Sequence, residues 1–371
     1  MFSLSYGGPF YKLTNKLHVR AVHLALFAWL PIMAGEAVRA MFDLTPDPTV
    51  FDISLHVRLL VAIPLFMLAE YLVDSGCRSA IASVYSGKLA EPASVDAIVA
   101  SGERLRDALW PELVIAGIAI VGGQLALWKV VGGTGVFHGE TGVGRFSFPR
   151  LWYVAIALPL MQFVMIRWLW RWAIWSYMLA RLARLPLVLL ATHPDRAAGL
   201  SCLARPVSGF SGFAAGVGTV LAGAWGTQVL GHRAIPESFL PLLLVLVVAL
   251  LVIAVAPLVL FSGHLYRVRR RSLAQYGDFA SGYMQDFHAK WIDPRTTREG
   301  PLGTSDIQSL NDLGSAFQMI VTTRLFVFGM RPLIGLWAAT IVPMVPLFAS
   351  ALSVEHLLKR IVSTVVGGLP I

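Results

Sequence analysis

The sequence predicts an all-α, polytopic transmembrane helix bundle of about seven spans, six if the first is only interfacial, with helical cytoplasmic segments. Three observations predict it. Phe239 to Phe261, FLPLLLVLVVALLVIAVAPLVLF, is a 23-residue run without a charge, and ~20 residues at a rise of ~1.5 Å cross the ~30 Å hydrocarbon core of a bilayer. The 371 residues are 56% hydrophobic and 14% charged, against ~25% charged in soluble domains. The basic residues behind the formal charge of +9 fall at the ends of apolar segments, where they set topology and meet anionic lipid head groups. That placement argues against nucleic acid as a partner, and residues 1–371 read as a single integral membrane domain.

The spans follow in order. Val19 to Ala37 is the first and the weakest, because it carries His23, Pro31 and Glu36. The basic N-terminal stretch before it has no A-x-A-like cleavage site at the right offset, so this segment reads as a retained span and not as a signal peptide. Val57 to Val73, Leu113 to Val131, Leu151 to about Tyr177, and Phe213 to Leu230 are the next four. The uncharged run is the sixth, and Pro332 to Leu352 the seventh. With the N-terminus inside, 22 of the 30 Lys and Arg residues fall on the cytoplasmic side, the asymmetry expected of an inner-membrane protein. The cytoplasmic segments are 79–109, read as two short helices broken near Pro92, then 178–208, and 264–331. Ser305 to Thr323 has apolar residues at helical spacing and opens on Ser305-x-x-Gln308, a capping box. Gly132 to Arg150, on the other side, reads as a glycine-rich loop.

Several residues stand out. Gly212, Gly216, Thr219, Gly223 and Thr227 form a small-residue stripe on one face of the fifth span. Such a stripe lets helix backbones approach closely, within the chain or in a homo-oligomer, or it lines a pore. The fourth span ends in Arg167, Arg171 and Arg181 on one face and Trp168, Trp172 and Trp175 on the next. This reads as an aromatic belt with arginines snorkelling to lipid phosphate, or as an anion-attracting vestibule. Glu70, with Asp74 one turn on, is a carboxylate near membrane depth, where a cap, an Arg partner or an ion site explains it. After the fourth span comes THPDRAAGL, residues 192–200. Thr192 or Asp195 can cap a helix there, and His193, Asp195 and Arg196 together can equally form a binding site.

HPDRAAGL at 193–200 resembles the HPDRAGGL-type signature of an uncharacterised family of bacterial polytopic inner-membrane proteins. RRRSLAQYG, DFHAKW, the SDIQSLNDLGSAF segment (similar to that family's ADIQSLADLG-type stretch) and the PMVPL of the last span follow in the same order. The resemblance covers about 190–350 well and the N-terminal half more loosely. It implies that His193, Asp195, Arg196, Lys290, Asp306 and Gln308 belong to one cytoplasmic-side arrangement, and it brings no established activity. The chain departs from the pattern at Ala198, Ser305 and Asn311, and Ala198 makes the loop less permissive than two glycines.

The leading functional expectation is a channel- or transporter-like protein. The alternative is a non-transporting scaffold that binds a soluble cytoplasmic partner or anionic lipid through its cytoplasmic helices. The remote one is an intramembrane serine hydrolase, because Gly209-Phe210-Ser211-Gly212 resembles the GxSG motif of rhomboid proteases and His264 lies at the end of the sixth span. No catalytic set, metal site or cofactor motif is otherwise indicated: Cys77 and Cys202 are isolated, and no HExxH, Walker or GxGxxG pattern occurs in the required context.

Overall fold

The computed structural model describes residues 17–131, 147–230, 236–293 and 305–351. The expected loop at 132–146 and the basic residues Lys12, Lys16, Arg145, Arg233, Arg295, Arg298, Lys359 and Arg360 lie outside these. Among the described residues every regular element is helical. Six helices are long and apolar enough to cross a membrane, and a bent pair forms a seventh candidate. The chain is a multi-pass membrane protein.

α1 (Leu17–Met41) is the first span and buries Ala21, Ala25, Ala28 and Ile32 on one face. The next span joins α2 (Ile53–Val57), a π turn (Arg58–Ala62) and α3 (Ile63–Ser86). Asp52 caps its start by accepting from the Ser54 amide at 2.9 Å. A second composite span joins α6 (Phe148–Trp152), a π turn (Tyr153–Ala157) and α7 (Leu158–Leu182). In both, a proline, Pro64 or Pro159, sits just after the π turn, and the wider turn accommodates the missing N–H without breaking the helix. These spans reach 34 and 35 residues, so each also projects past the hydrocarbon.

α4 (Pro92–Asp107) and α5 (Leu109–Val131) meet at a 43° bend. The segment 79–109 breaks near Pro92 as expected, but its first piece is the end of α3 and not a separate short helix. α3 runs unbroken to Ser86, and α4 lies along α7 and leads directly into α5. The antiparallel match is continuous. Arg181 donates to the Ser101 hydroxyl at 3.2 Å, Gly102 faces Met178, Trp110 packs edge-on to Trp170, and Gly122 faces Gln162. The charges of α4 hid this from a composition reading, because Arg106 is held by Asp107 through two bonds of 2.9 and 3.0 Å.

α8 (Arg205–Leu230) runs antiparallel to α2–α3 and touches it through the small-residue stripe. A Cβ at Gly209 would lie 2.5 Å from the Val73 nitrogen, at Gly212 3.1 Å from the Ala69 Cα, at Gly216 2.5 Å from Phe66, and at Gly223 3.1 Å from the Ser54 Cα. The Thr219 hydroxyl bonds back to the Ala215 carbonyl at 2.7 Å, and Thr227 donates to Asp52 at 2.7 Å. The stripe is thus occupied within the chain. Its other flank meets α12 (Met330–Ile341), where a Cβ on Gly218 would strike the Thr340 carbonyl. α9 (Leu240–Val259) is the uncharged run. It breaks at Leu260–Phe261, and α10 (Ser262–Phe287) follows. α10 and α11 (Ser305–Val321) pair antiparallel outside the spans before α12 and α13 (Val345–Ala351) return.

The arginine-rich helix end of α7 is not an aromatic belt. Trp168, Trp172 and Trp175 are buried. Trp168 stacks on Phe213 with ring centroids 4.0 Å apart and meets Phe210 edge-on at 4.9 Å, and the Trp172 indole donates to the Ile253 carbonyl at 3.0 Å. The glycines of α8 bring Phe210 and Phe213 close enough to fill this layer. At the opposite end of the bundle Asp47 accepts from the Ser147 hydroxyl and pairs with Arg150 at 3.6 Å, all three being buried.

Gly216→Leu is expected to lower thermal stability in detergent by at least the ~1–3 kcal/mol typical of overpacking, because Phe66 leaves no room for a side chain. Gly226→Ala, where a Cβ meets nothing within 4 Å, should leave the melting temperature unchanged.

Candidate functional site

Two helices place like charges one turn apart, and the two pairs face each other. α3 carries Glu70 and Asp74, and α7 carries Arg167 and Arg171. Arg171 Nε lies 2.6 Å from Glu70 Oε1, and Arg171 Nη1 3.6 Å from Asp74 Oδ1. Arg167 Nη2 approaches the same Glu70 oxygen at 3.7 Å, while its Nε reaches Glu112 of α5 at 3.6 Å. Glu70 is 4% exposed and Arg167 7%. Three helices are therefore joined by one ionic lattice centred on Glu70.

Its depth follows from α9. An uncharged helix with exposed Leu244, Val245, Val248 and Val252 belongs in hydrocarbon. α7 and α9 run in the same direction, two spans apart, and the Trp172–Ile253 bond sets their relative level. Arg167 precedes Trp172 by five residues, ~7.5 Å at 1.5 Å per residue, which brings it level with Val248, near the middle of Leu240–Val259. Arg171 is level with about Val252. Arginines at this depth, facing a carboxylate on the next helix, form ion pairs in preference to reaching lipid phosphate. Taking each ion out of water costs several kcal/mol, and only close, multiple pairing offsets it. The snorkelling reading of Arg167 and Arg171 is corrected on this ground. Arg181, further along, does reach the polar edge, where it bonds Ser101 and lies over the Tyr177 ring.

The HPDR loop is built around Asp195. One carboxylate oxygen accepts from the amides of Ala197 at 2.8 Å and Gly199 at 3.1 Å, and the other from Ser201 at 3.1 Å. This fixes the chain into the 3₁₀ turn Leu200–Ala204 that starts α8. Burial alone would raise the Asp195 carboxyl, but the three amide bonds outweigh it and hold it below the usual carboxylate range. His193 Nδ1 lies 2.8 Å from Asp195 Oδ1. Arg196, Ala198 and Gly199 have φ of 56°, 54° and 93°. Ala198 thus occupies a left-handed position, where the first glycine of the HPDRAGGL-type pattern would sit without strain.

The other predicted polar residues form a second group at the far end of the α10–α11 pair. Asp306 accepts from Lys290 at 2.6 Å and from the Trp291 indole at 2.9 Å, and its carbonyl accepts from Tyr283 at 3.0 Å. The Lys290 ammonium first, then the indole, lowers the Asp306 pKa. Gln308 donates to Asp312 at 3.1 Å; its side chain does not reach back as a capping box requires. Arg196 lies beside α11, its carbonyl accepting from the Arg324 amide at 2.8 Å. Ser211 faces Gly335 of α12, and among the described residues it makes no hydrogen bond to His264. Burial, and then Arg267, lower the His264 pKa. No three His, Cys, Asp or Glu side chains converge as a metal ligand set among the described residues.

Sequence reasoning named Glu70, Asp74, Arg167 and Arg171 separately and passed over Glu112. The signal that could have joined them was the shared four-residue spacing of two acids and two arginines on apolar spans. Comparison of the chain with protein-family models, curated proteins and solved structures finds no match.

Asp195→Ala is expected to cost ~1–3 kcal/mol, the penalty for orphaning buried amides. Because the folded pKa is depressed, the contribution of Asp195 is complete above the unfolded value near ~3.9 and disappears as pH falls through the lower folded value. The stability difference between wild type and variant should therefore stay constant from pH 7 down to the unfolded value and shrink only as pH falls below it, read from melting curves across that range.

Proposed function

We propose that the chain is a channel- or transporter-like protein of the bacterial inner membrane with its N-terminus in the cytoplasm. In this reading the Glu70–Asp74–Glu112–Arg167–Arg171 lattice is where the charge of a passing ion or solute is met. The observation that carries it is the lattice at mid-depth. Taking each of these ions out of water costs several kcal/mol, and ionisable groups inside spans mark ion and substrate paths. Three of the four pairs are 3.6–3.7 Å long, loose enough for partners to exchange. The Lys and Arg asymmetry supports the orientation, and the HPDRAAGL and SDIQSLNDLG segments support membership of the bacterial family they resemble.

The alternative, a scaffold for a soluble partner, is favoured by one observation. α10 and α11, outside the spans, expose Phe279 at 65%, Met284 at 54% and Ile307 at 50%, and α11 buries only Ile320.

Proteoliposomes separate the two. Wild type is expected to carry flux of at least one of H⁺, Na⁺, K⁺ or Cl⁻ above protein-free vesicles. The charge-neutral pair Glu70→Gln with Arg171→Gln is expected to insert and fold but lose that flux. Correctly inserted wild type that passes none of these ions would contradict the transport reading, and crosslinking to a soluble partner would then support the scaffold.

A further inference from the structure

His56 has both of its ring nitrogens committed. Nδ1 accepts from the Trp29 indole at 2.9 Å, and Nε2 donates to the Val50 carbonyl at 2.7 Å. The partners fix the direction of each bond. An indole N–H only donates and a carbonyl only accepts, so the ring is held as the neutral tautomer with its proton on Nε2. The Trp29 and His56 rings meet edge-on, at 66° with centroids 6.3 Å apart. Three elements converge on this one imidazole: α1 through Trp29, the 3₁₀ turn Pro48–Phe51 through Val50, and α2 itself.

The joint stands at the end of the bundle away from the HPDR loop. His56 precedes Glu70 by fourteen residues, ~20 Å along the helix, and Glu70 meets Arg171 near mid-depth. Half of the ~30 Å hydrocarbon core is ~15 Å. The imidazole, partly exposed, is therefore at or beyond the edge of the core, within reach of aqueous protons.

The charges around it are matched among themselves. α1 brings Glu36 and Arg39, paired at 3.5 Å. The Asp47 amide donates to Glu36 at 3.0 Å, and the Asp47 carboxylate pairs with Arg150 of α6. Asp52 accepts from the Ser54 amide and from Thr227 of α8, and Arg58 donates to the Tyr153 hydroxyl at 2.9 Å. Asp43 is exposed. Among the described residues none of these groups bonds or pairs with the imidazole. The Trp29 bond therefore selects the protonation state that the joint accepts.

We propose that His56 is a pH-sensitive latch that fastens α1 to α2 only while its ring is neutral. A proton taken from water at Nδ1 sets N–H against N–H. The Trp29 indole then loses its acceptor and α1 loses this attachment, while the Nε2 bond to Val50 remains. Histidine changes charge between pH 5 and pH 8, so the latch is closed at the upper end of that range and open at the lower. α1 stays in the bundle when it opens, because the Ala28 carbonyl accepts from the Trp152 indole of α6 at 3.2 Å. The latch stands apart from the ionic lattice and does not depend on transport.

The test follows the indole N–H signals of the full-length protein by NMR in a neutral maltoside detergent, from pH 8 to pH 5. Trp29 is assigned by the signal lost in Trp29→Phe, and Trp172 by the signal lost in Trp172→Phe. The Trp29 signal is expected to shift along a one-proton titration curve, while that of Trp172, bonded to the Ile253 carbonyl, stays in place. Glutamine can accept from Trp29 and donate to Val50 without titrating, so His56→Gln should abolish the shift. Thermal unfolding gives a second reading: Trp29→Phe should lower the melting temperature at the alkaline end of the range and leave it unchanged at the acid end. A Trp29 signal that does not move, the same shift in His56→Gln, or a Trp172 signal that moves together with Trp29, as in general acid unfolding, would each overturn the proposal.

Discussion

Hydrocarbon supplies no water to a charged group, so every ion placed in a span must be met by another part of the protein. Glu70 is where this constraint acts most strongly. Its carboxylate lies between Arg171 at 2.6 Å and Arg167 at 3.7 Å, and those arginines reach on to Asp74 and Glu112. The lattice decides which face of α7 turns inward and therefore that Trp168, Trp172 and Trp175 fall in the core. It also sets the level of α5, whose Glu112 must arrive opposite Arg167, and so favours the bent α4–α5 path along α7.

On the other side of α3 the governing contact is dispersion at short range. Lipid tails are as apolar as leucine, so burying apolar area does little to bring helices together in the membrane, and close backbone approach takes over. Gly209, Gly212, Gly216 and Gly223 allow it. α3 is thus held between an ionic face toward α7 and a glycine-packed face toward α8. The aromatic layer of Trp168, Phe210 and Phe213 closes the space between the two neighbours.

The spans were legible because a run of ~20 apolar residues is the length that a bilayer requires and that a soluble core rarely does. Each apolar run found in the sequence overlaps a helix long and apolar enough to cross a membrane, alone or as part of the bent pair, although Leu352, the end of the last run, lies outside the described residues. The glycine stripe was legible as a close-contact face, since small residues at helical spacing on an apolar helix leave a groove. What composition concealed was the use made of charge. α4 reads as a cytoplasmic helix because it carries Glu103, Arg104, Arg106 and Asp107, and nothing in that composition shows that Ser101 and Gly102 pack it against α7. Arg167 and Arg171 looked like lipid-facing residues because nothing local in the sequence shows that α3 is their neighbour. The role of Asp195 as loop anchor depends on three amides that acquire their direction only from the left-handed residues Arg196, Ala198 and Gly199. The convergence of Lys290 and Trp291 on Asp306 likewise depends on how α10 and α11 pair.

The most direct measurement of the central claim is a double-mutant stability cycle on the shortest pair of the lattice. Wild type, Glu70→Gln, Arg171→Gln and the double variant are compared by thermal or denaturant unfolding in the same lipid–detergent mixture. Breaking a buried pair strands a charge and costs ~3–5 kcal/mol, so each single variant should be strongly destabilised. The double variant should recover more than half of the summed loss, because no stranded charge remains. Single variants of near wild-type stability, or losses that simply add in the double variant, would mean that Glu70 and Arg171 do not meet inside the membrane and would contradict the account.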